Sequence, residues 1–388
     1  MSSNRKKSKA VPVVLVIMLL VAALAAGGFL LKPVVTDPIR QAASKDYEAQ
    51  LAEVDKQNQE NQQAYQQALA DLRNQAAQPK ENPDWPEPDK SKEWEIIDVT
   101  TFPLENTTAE HKTRADVMNN GLLLVNAFHS RPADFNDADP NIVSIGRYLG
   151  GNSKVQVKDY SLSLFKVAAD ALLKVITDAK AAGMEHYMVD EAYRSYSTQE
   201  ALFNKKMAAL ESKYKDETAR AEAAAKEVNR PGTSEYNTGL SFTLRLYSKD
   251  DATVAEPKYS TTPQAAWMNE NCWKYGIVFR FPLQDWPTAG TLDKTFKTGV
   301  SMKLGTYRYV GEGSAAVMHL MDFCLEEYIE YLMEHPHIAV YNNGERKYEI
   351  FRQVVGDASE FDVLLTPSAS HVSSLDNMGG VITVFSFD

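Results

Sequence analysis

Cysteine is nearly absent: Cys272 and Cys324 are the two in 388 residues. With no CxxC pair and no Cys/His cluster, a structural zinc knuckle is excluded. Both cysteines sit in apolar, helix-like stretches (WMNENCWKYG and MHLMDFCLEEYIEYL) and read as buried free thiols. A disulfide between them stays open outside the cytoplasm, because sequence does not give their separation. Positive charge is also short, with 41 Lys and Arg against 52 Asp and Glu, a net charge of −11. A surface this acidic is repelled by phosphate backbones, so nucleic acid is not expected as a partner. No internal repeat is visible, and proline and glycine do not accumulate beyond a short linker.

One long apolar run does exist. Arg5, Lys6, Lys7 and Lys9 precede an uncharged stretch from Ala10 to Leu31, about the 20 residues that a bilayer-spanning helix needs. Basic residues on its N-terminal side keep that end in the cytoplasm. The expectation is a cytoplasmic tail at 1–9, a single-pass anchor at 10–32, and everything beyond outside the cytoplasm. Ala23-Leu24-Ala25 also has the form of a signal-peptide cleavage site. The apolar run continues past it through Leu31, which favours an uncleaved anchor; cleavage would give a secreted protein on the same side of the membrane. No cysteine stands just after Ala23-Leu24-Ala25, so a lipoprotein anchor is excluded.

Residues 33–78 read as a helical stalk. Asp37-Pro38 has the form of a helix start, and no glycine follows before Gln78. Leu51, Val54, Asn58, Asn61, Tyr65, Ala68 and Leu72 recur at alternating spacings of three and four, a heptad seam carrying two asparagines. Two readings stand: a homodimeric coiled coil through the stalk, or a single solvated helix. Residues 79–93 (PKENPDWPEPDK and its continuation) form a proline-rich, extended linker.

The globular part is expected at 94–336. Helices are predicted over Ser161–Ala182, Thr198–Leu210, Glu217–Val228, Thr262–Tyr275 and Ser314–His335, with a strand at Tyr187–Val189. Helices mixed with short strands, lacking βαβ regularity, indicate an α+β domain. Residues 337–388 read as a C-terminal β extension: HIAVY and KYEIFRQVV flank Asn342-Asn343-Gly344, a hairpin signal.

Four stretches, in order, resemble the VanY-type D-alanyl-D-alanine carboxypeptidases. They are LLLVNAFHSRPADF (Leu122–Phe135), AYRSYSTQEALFN (Ala192–Asn204), PGTSEYNTGLSFTL (Pro231–Leu244), and the pair WKYGIVFRFP (Trp273–Pro282) and KTGVSMKLGTYRYVG (Lys297–Gly311). The resemblance covers roughly residues 115–333. It implies the hedgehog/DD-peptidase-like fold, an antiparallel sheet with flanking helices, and a zinc peptidase acting on peptidoglycan.

The same resemblance shows what is missing. Where the family has a zinc-binding histidine, aspartate and second histidine, this chain has Tyr236, Thr243 and Thr306; where it has a general-base glutamate, this chain has Lys303, and Gly305 replaces a tryptophan. Zinc in proteins is held by thiolate, imidazole or carboxylate. Threonine hydroxyls are neutral, and a tyrosine would have to lose a proton with a pKa near 10. Without the metal no bound water is acidified, and a cationic lysine does not abstract protons unless something lowers its pKa. The expectation is that zinc and catalysis are lost. His335-Pro336-His337 offers a histidine pair without a third ligand.

Arg194, Ser195, Gln199, Ser234, Glu235 and Gly239 keep family positions, and the resemblance gives Arg194 the role of holding a substrate carboxylate, for which a guanidinium fork is suited. The other reading of Arg194 is an internal ion pair. Arg194, Ser195, Gln199, Ser234 and Lys303 are the candidate ligand-binding residues, with Lys303 offsetting the lost metal charge. The family's Ser-Gly before Tyr193 is here Glu191-Ala192, a changed pocket wall. The leading expectation is an inactive, membrane-anchored relative that binds peptidoglycan stem peptide or a cell-wall protein. An active zinc D,D-carboxypeptidase with other ligands, and a scaffold with a dead pocket, are the alternatives.

Overall fold

The computed structural model of the chain describes residues 85–300, 303–367 and 369–387. The expected tail, anchor (10–32) and stalk (33–78) lie outside the described residues. Among the described residues no helix is long and apolar enough to cross a membrane.

The chain runs through strands β1 (Trp94–Asp98), β2 (Thr108–Thr113), β3 (Ile142–Ser144), β4 (Gln156–Val157) and β5 (Ser163–Phe165) into helix α1 (Lys166–Ala181). Strand β6 (Tyr187–Glu191), helices α2 (Tyr196–Ala209) and α3 (Glu217–Ala225), and strand β7 (Ser241–Leu246) follow. Helix α4 (Pro263–Asn271) leads to β8 (Ile277–Phe279) and β9 (Thr306–Tyr309), then to α5 (Glu312–Met321) and α6 (Leu325–Glu334). Five strands close the chain: β10 (His337–Asn342), β11 (Glu345–Val354), β12 (Glu360–Leu365), β13 (Ser370–Leu375) and β14 (Gly380–Ser386).

The central sheet has the order β4-β6-β7-β9-β8. Only β4–β6 is parallel; the other pairs are antiparallel. Helix α1 covers this sheet because Ala168, Ala169, Leu172, Val175, Ile176 and Ala179 recur at helical spacing and are all buried. They share one core with Val189, Phe242 and Leu244 of the sheet. Each of Leu172, Val175 and Ile176 gains about 1.5–3 kcal/mol by leaving water. Helix α4 starts as its sequence dictates, with Thr262 accepting from the Ala265 N–H and Pro263 in the first turn.

Two expected helices differ in the structure. The stretch from Ser161 gives up its first residues to β5, which pairs with β3, and the helix begins at Lys166. The stretch Ser314–His335 is two helices, broken where Asp322 takes a left-handed φ of 53°. There the Glu327 carboxylate accepts from the Cys324 N–H at 3.1 Å and restarts the chain as α6. Apolar periodicity ran through the break, so the pattern alone did not show it.

The second sheet has the order β1-β10-β11-β14-β13, antiparallel throughout. Its β10–β11 hairpin turns at Asn343 and Gly344, both with positive φ, as an Asn-Gly turn requires. Strand β1, at the start of the globular part, pairs with β10, and β2 pairs with β12. Ile338, Val340, Ile350 and Ile382 from this sheet pack in one core with Leu325, Ile329 and Leu332 of α6. The described residues from 337 to 387 are thus built into the same compact unit as the central sheet.

Candidate functional site

The site lies on one row of the central sheet. In the β6–β7–β9 register, Glu191 faces Thr243 and Thr243 faces Thr306. Directly opposed residues of antiparallel strands project to the same side. The third hydroxyl, that of Tyr236, comes from a 3-10 turn over Glu235–Thr238, opened by a capping box between Ser234 and Asn237. The turn ends at Gly239, whose φ of 70° and 2.8 Å approach of a notional Cβ to the Phe165 ring leave room for no other residue.

Three hydroxyls meet there. Tyr236 Oη is 2.5 Å from Thr243 Oγ1 and 3.5 Å from Thr306 Oγ1, and the two threonine oxygens are 2.9 Å apart. Burial and the nearby negative charge of Glu191 push the Tyr236 phenol well above its ordinary value, so it stays protonated. The three hydroxyls therefore satisfy one another as neutral groups.

Two cations flank the ring. The Arg194 guanidinium carbon is 4.6 Å, and Lys303 Nζ 4.5 Å, from the Tyr236 ring centroid. Burial lowers the Lys303 pKa; the Glu191 charge partly offsets this and the Arg194 charge adds to it. That effect, not readable from the residues around position 303, weakens its ammonium form in the fold. Arg194 forms an ion pair with Glu191 and donates to Gln199 Oε1 at 3.3 Å, while Gln199 Nε2 donates to the Asn229 carbonyl at 2.7 Å. The backbones are tied as well: the Arg194 N–H donates to the Tyr236 carbonyl at 3.0 Å.

The remaining candidates divide. Ser234 is buried and lines the inner end of the site with Asn126, Tyr236, Phe281 and Lys303. That inner end encloses about 10 Å³, roughly one water. Toward Arg194 and Glu191, whose side chains are 20% and 36% exposed, the site opens to solvent. Ser195 does not line this inner end; it is the N-cap of α2, accepting from the Thr198 N–H at 3.1 Å.

Sequence reasoning passed over the ion network behind the site. Arg280 Nε donates to Glu235 at 2.7 Å, and its two terminal nitrogens grip Glu326 at 2.7 and 2.9 Å. Arg308 bonds Glu235 and the carbonyls of Gly121 and Leu123. Burial opposes ionisation of Glu235, yet Arg280 and Arg308 hold its carboxyl below the usual range. The signal was there in lone arginines inside VFRFP and TYRYVG, apolar contexts that accept a guanidinium only when it is paired. Glu235 precedes Tyr236, so this network fixes the turn that delivers the phenol.

The donor set does not suit zinc. Three neutral hydroxyls beside an ammonium, with Glu191 as the one carboxylate on the same face and already paired with Arg194, do not make the set of anionic and imidazole donors that zinc needs. Among the described residues no group of three His, Cys, Asp or Glu could hold a metal ion. His335 is engaged with Asp98 at 2.7 Å, and buried His337 lies between the Phe102 carbonyl and Glu349 at 2.8 Å each. Cys272 and Cys324 are buried free thiols.

The central sheet thus has a helix-covered back and carries this polar row on its other face. The family model for VanY, D-alanyl-D-alanine carboxypeptidase, matches residues 161–294. A D-alanyl-D-alanine carboxypeptidase of Enterococcus faecium is 29% identical over 282 residues, 72% of this chain and 80% of that protein. One of Enterococcus faecalis is 30% identical over 233 residues, 60% of this chain and 74% of its own length. The solved structure of the vancomycin-resistance D,D-dipeptidase VanXYg with a D-Ala-D-Ala phosphinate analog shares the fold, with a TM-score of 0.54 at 19% identity, over 72% of this chain and 99% of that one. The chain belongs to the VanY D-alanyl-D-alanine carboxypeptidase family.

Proposed function

We propose that this chain is a catalytically inactive member of its family, held at the outer face of a membrane by its N-terminal apolar segment. Its pocket receives the carboxylate end of a peptidoglycan stem peptide without cleaving it. One observation carries the reading: Tyr236, Thr243 and Thr306 bond to one another as neutral hydroxyls where a zinc enzyme needs anionic or imidazole donors. Lys303 beside them supplies a positive charge, so the pocket keeps an attraction for an anion while offering no activated water.

The relatives are named for action on D-alanyl-D-alanine, which makes a stem peptide ending in D-Ala-D-Ala the natural ligand to try. The test is metal analysis of the full chain purified in detergent, with a zinc titration and an assay for D-alanine release from stem pentapeptide. The expected result is no bound zinc and no release. One zinc per chain together with D-alanine release would return the chain to hydrolysis.

A further inference from the structure

Glu191 ends β6 opposite Thr243, so its carboxylate rises from the same face as the threonine hydroxyls. Arg194 donates to it, and its charge also acts on Lys303 and Tyr236. Glu235, the other acid nearby, is taken up by Arg280 and Arg308. The site therefore holds two cations, Arg194 at its solvent-facing end and Lys303 at its inner end, and one carboxylate that the chain itself provides. The guanidinium is preset for a carboxylate, with its second nitrogen on Gln199 and Gln199 pinned to Asn229. Glu191 is an acid reaching this fork from three residues away, at the end of a strand, with a third of its side chain open to solvent. It is not locked in the interior, so it can be displaced.

We propose that Glu191 is an intramolecular competitor, occupying on Arg194 the place of an incoming ligand carboxylate. The ligand class is a short peptide with a free C-terminal carboxylate; this rests on the reading of the pocket as a receptor for such an end. Glu191 then sets a threshold: only a ligand that offers Arg194 and Lys303 more than one exchanged ion pair displaces it. Replacing it by the neutral isostere frees Arg194 of its ion-pair partner and removes a negative charge acting on Lys303, so binding strengthens.

The experiment compares wild type, Glu191→Gln and the double variant Glu191→Gln/Arg194→Ala as full chains in detergent. Calorimetry measures binding of an N-acetylated peptide ending in D-Ala-D-Ala and of its C-terminal amide. Phenylglyoxal labelling, with peptide mapping, reads how freely Arg194 reacts without any ligand. In Glu191→Gln the free-acid peptide is expected to bind on the order of ten-fold tighter, the amide no better, and Arg194 to label faster; the double variant loses the gain. Unchanged labelling of Arg194 overturns the competition whatever binds. Equal affinity of wild type and Glu191→Gln overturns the competition alone and leaves the peptide reading standing. Faster labelling with no peptide bound by any variant overturns both.

Discussion

Thr243 and Thr306 face each other across the β7–β9 pair with their hydroxyl oxygens 2.9 Å apart. A metal between two such positions needs donors that reach outward and carry charge or a basic nitrogen, and the threonines instead close on each other. Rebuilding the site is therefore a matter of donor chemistry on an intact frame. The combined variant Tyr236→His, Thr243→Asp, Lys303→Glu, Thr306→His is expected to bind about one zinc per chain, the ordinary stoichiometry of a mononuclear site. Each single change is expected to bind none. Zinc titration followed by elemental analysis checks this, and a combined variant that stays metal-free would show that the frame itself has moved.

The two backbones lie close together at Gly305. A Cβ on Gly305 would sit 2.7 Å from the Leu244 carbonyl oxygen and 3.2 Å from the Tyr259 ring. The Leu244 N–H also donates to the Gly305 carbonyl at 2.9 Å, drawing the two backbones together. Restoring the tryptophan that the family carries here is expected to destabilise the fold by about 1–3 kcal/mol through overpacking. Gly305→Ala should already lower the melting temperature, read by thermal unfolding. A Gly305→Ala protein as stable as wild type would mean that the strands separate here at no expense.

The family and the mixed α/β class were legible in the sequence because motifs are local strings with fixed order. The meeting of Tyr236, Thr243 and Thr306 followed from the resemblance, whereas the role of Ser195 did not: a serine three residues before a threonine N–H is a cap wherever a helix starts at Tyr196. Glu191 was visible only as a changed residue, since its pairing with Arg194 depends on a strand end and a turn meeting in space. Arg280, Arg308 and Glu326 form their network across separations of 45 to 73 residues, which no local pattern encodes. The same holds for β1, whose partner β10 lies at the other end of the domain.

Lys303 gives a prediction with a definite sign. Burial lowers its pKa below the ordinary 10.5 in the folded chain. The unfolded chain therefore binds the proton more tightly, and stability rises with pH between the folded value and about 10.5. Below that window the folded protein bears the full penalty of a half-desolvated ammonium. Lys303→Met is expected to raise the melting temperature at pH 7, with the advantage shrinking as pH climbs toward 10. Melting curves at several pH values check it, and a variant less stable than wild type at pH 7 would mean that the ammonium's attraction to Tyr236 and Glu191 outweighs its desolvation.

Glu326 sits behind the site in the opposite condition. Burial opposes its charge, but the two-pronged grip of Arg280, with a further bond from Asn126 at 2.8 Å, pulls its pKa to about 2. A depressed carboxyl contributes stability that is fully present above the unfolded value of about 4.5 and lost as pH falls through about 2. Glu235, held down by Arg280 and Arg308, acts in the same direction. Urea unfolding of the wild-type protein is expected to show stability falling steadily from pH 5 toward pH 2. Glu326→Gln keeps the shape but leaves Arg280 and Arg308 sharing one carboxylate, a loss of about 3–5 kcal/mol at neutral pH. Because the titrating group is gone, the decline below pH 5 should be shallower in the variant than in wild type. Parallel declines would assign the acid sensitivity to other carboxylates and remove Glu326 from the account of how the Tyr236 turn is held.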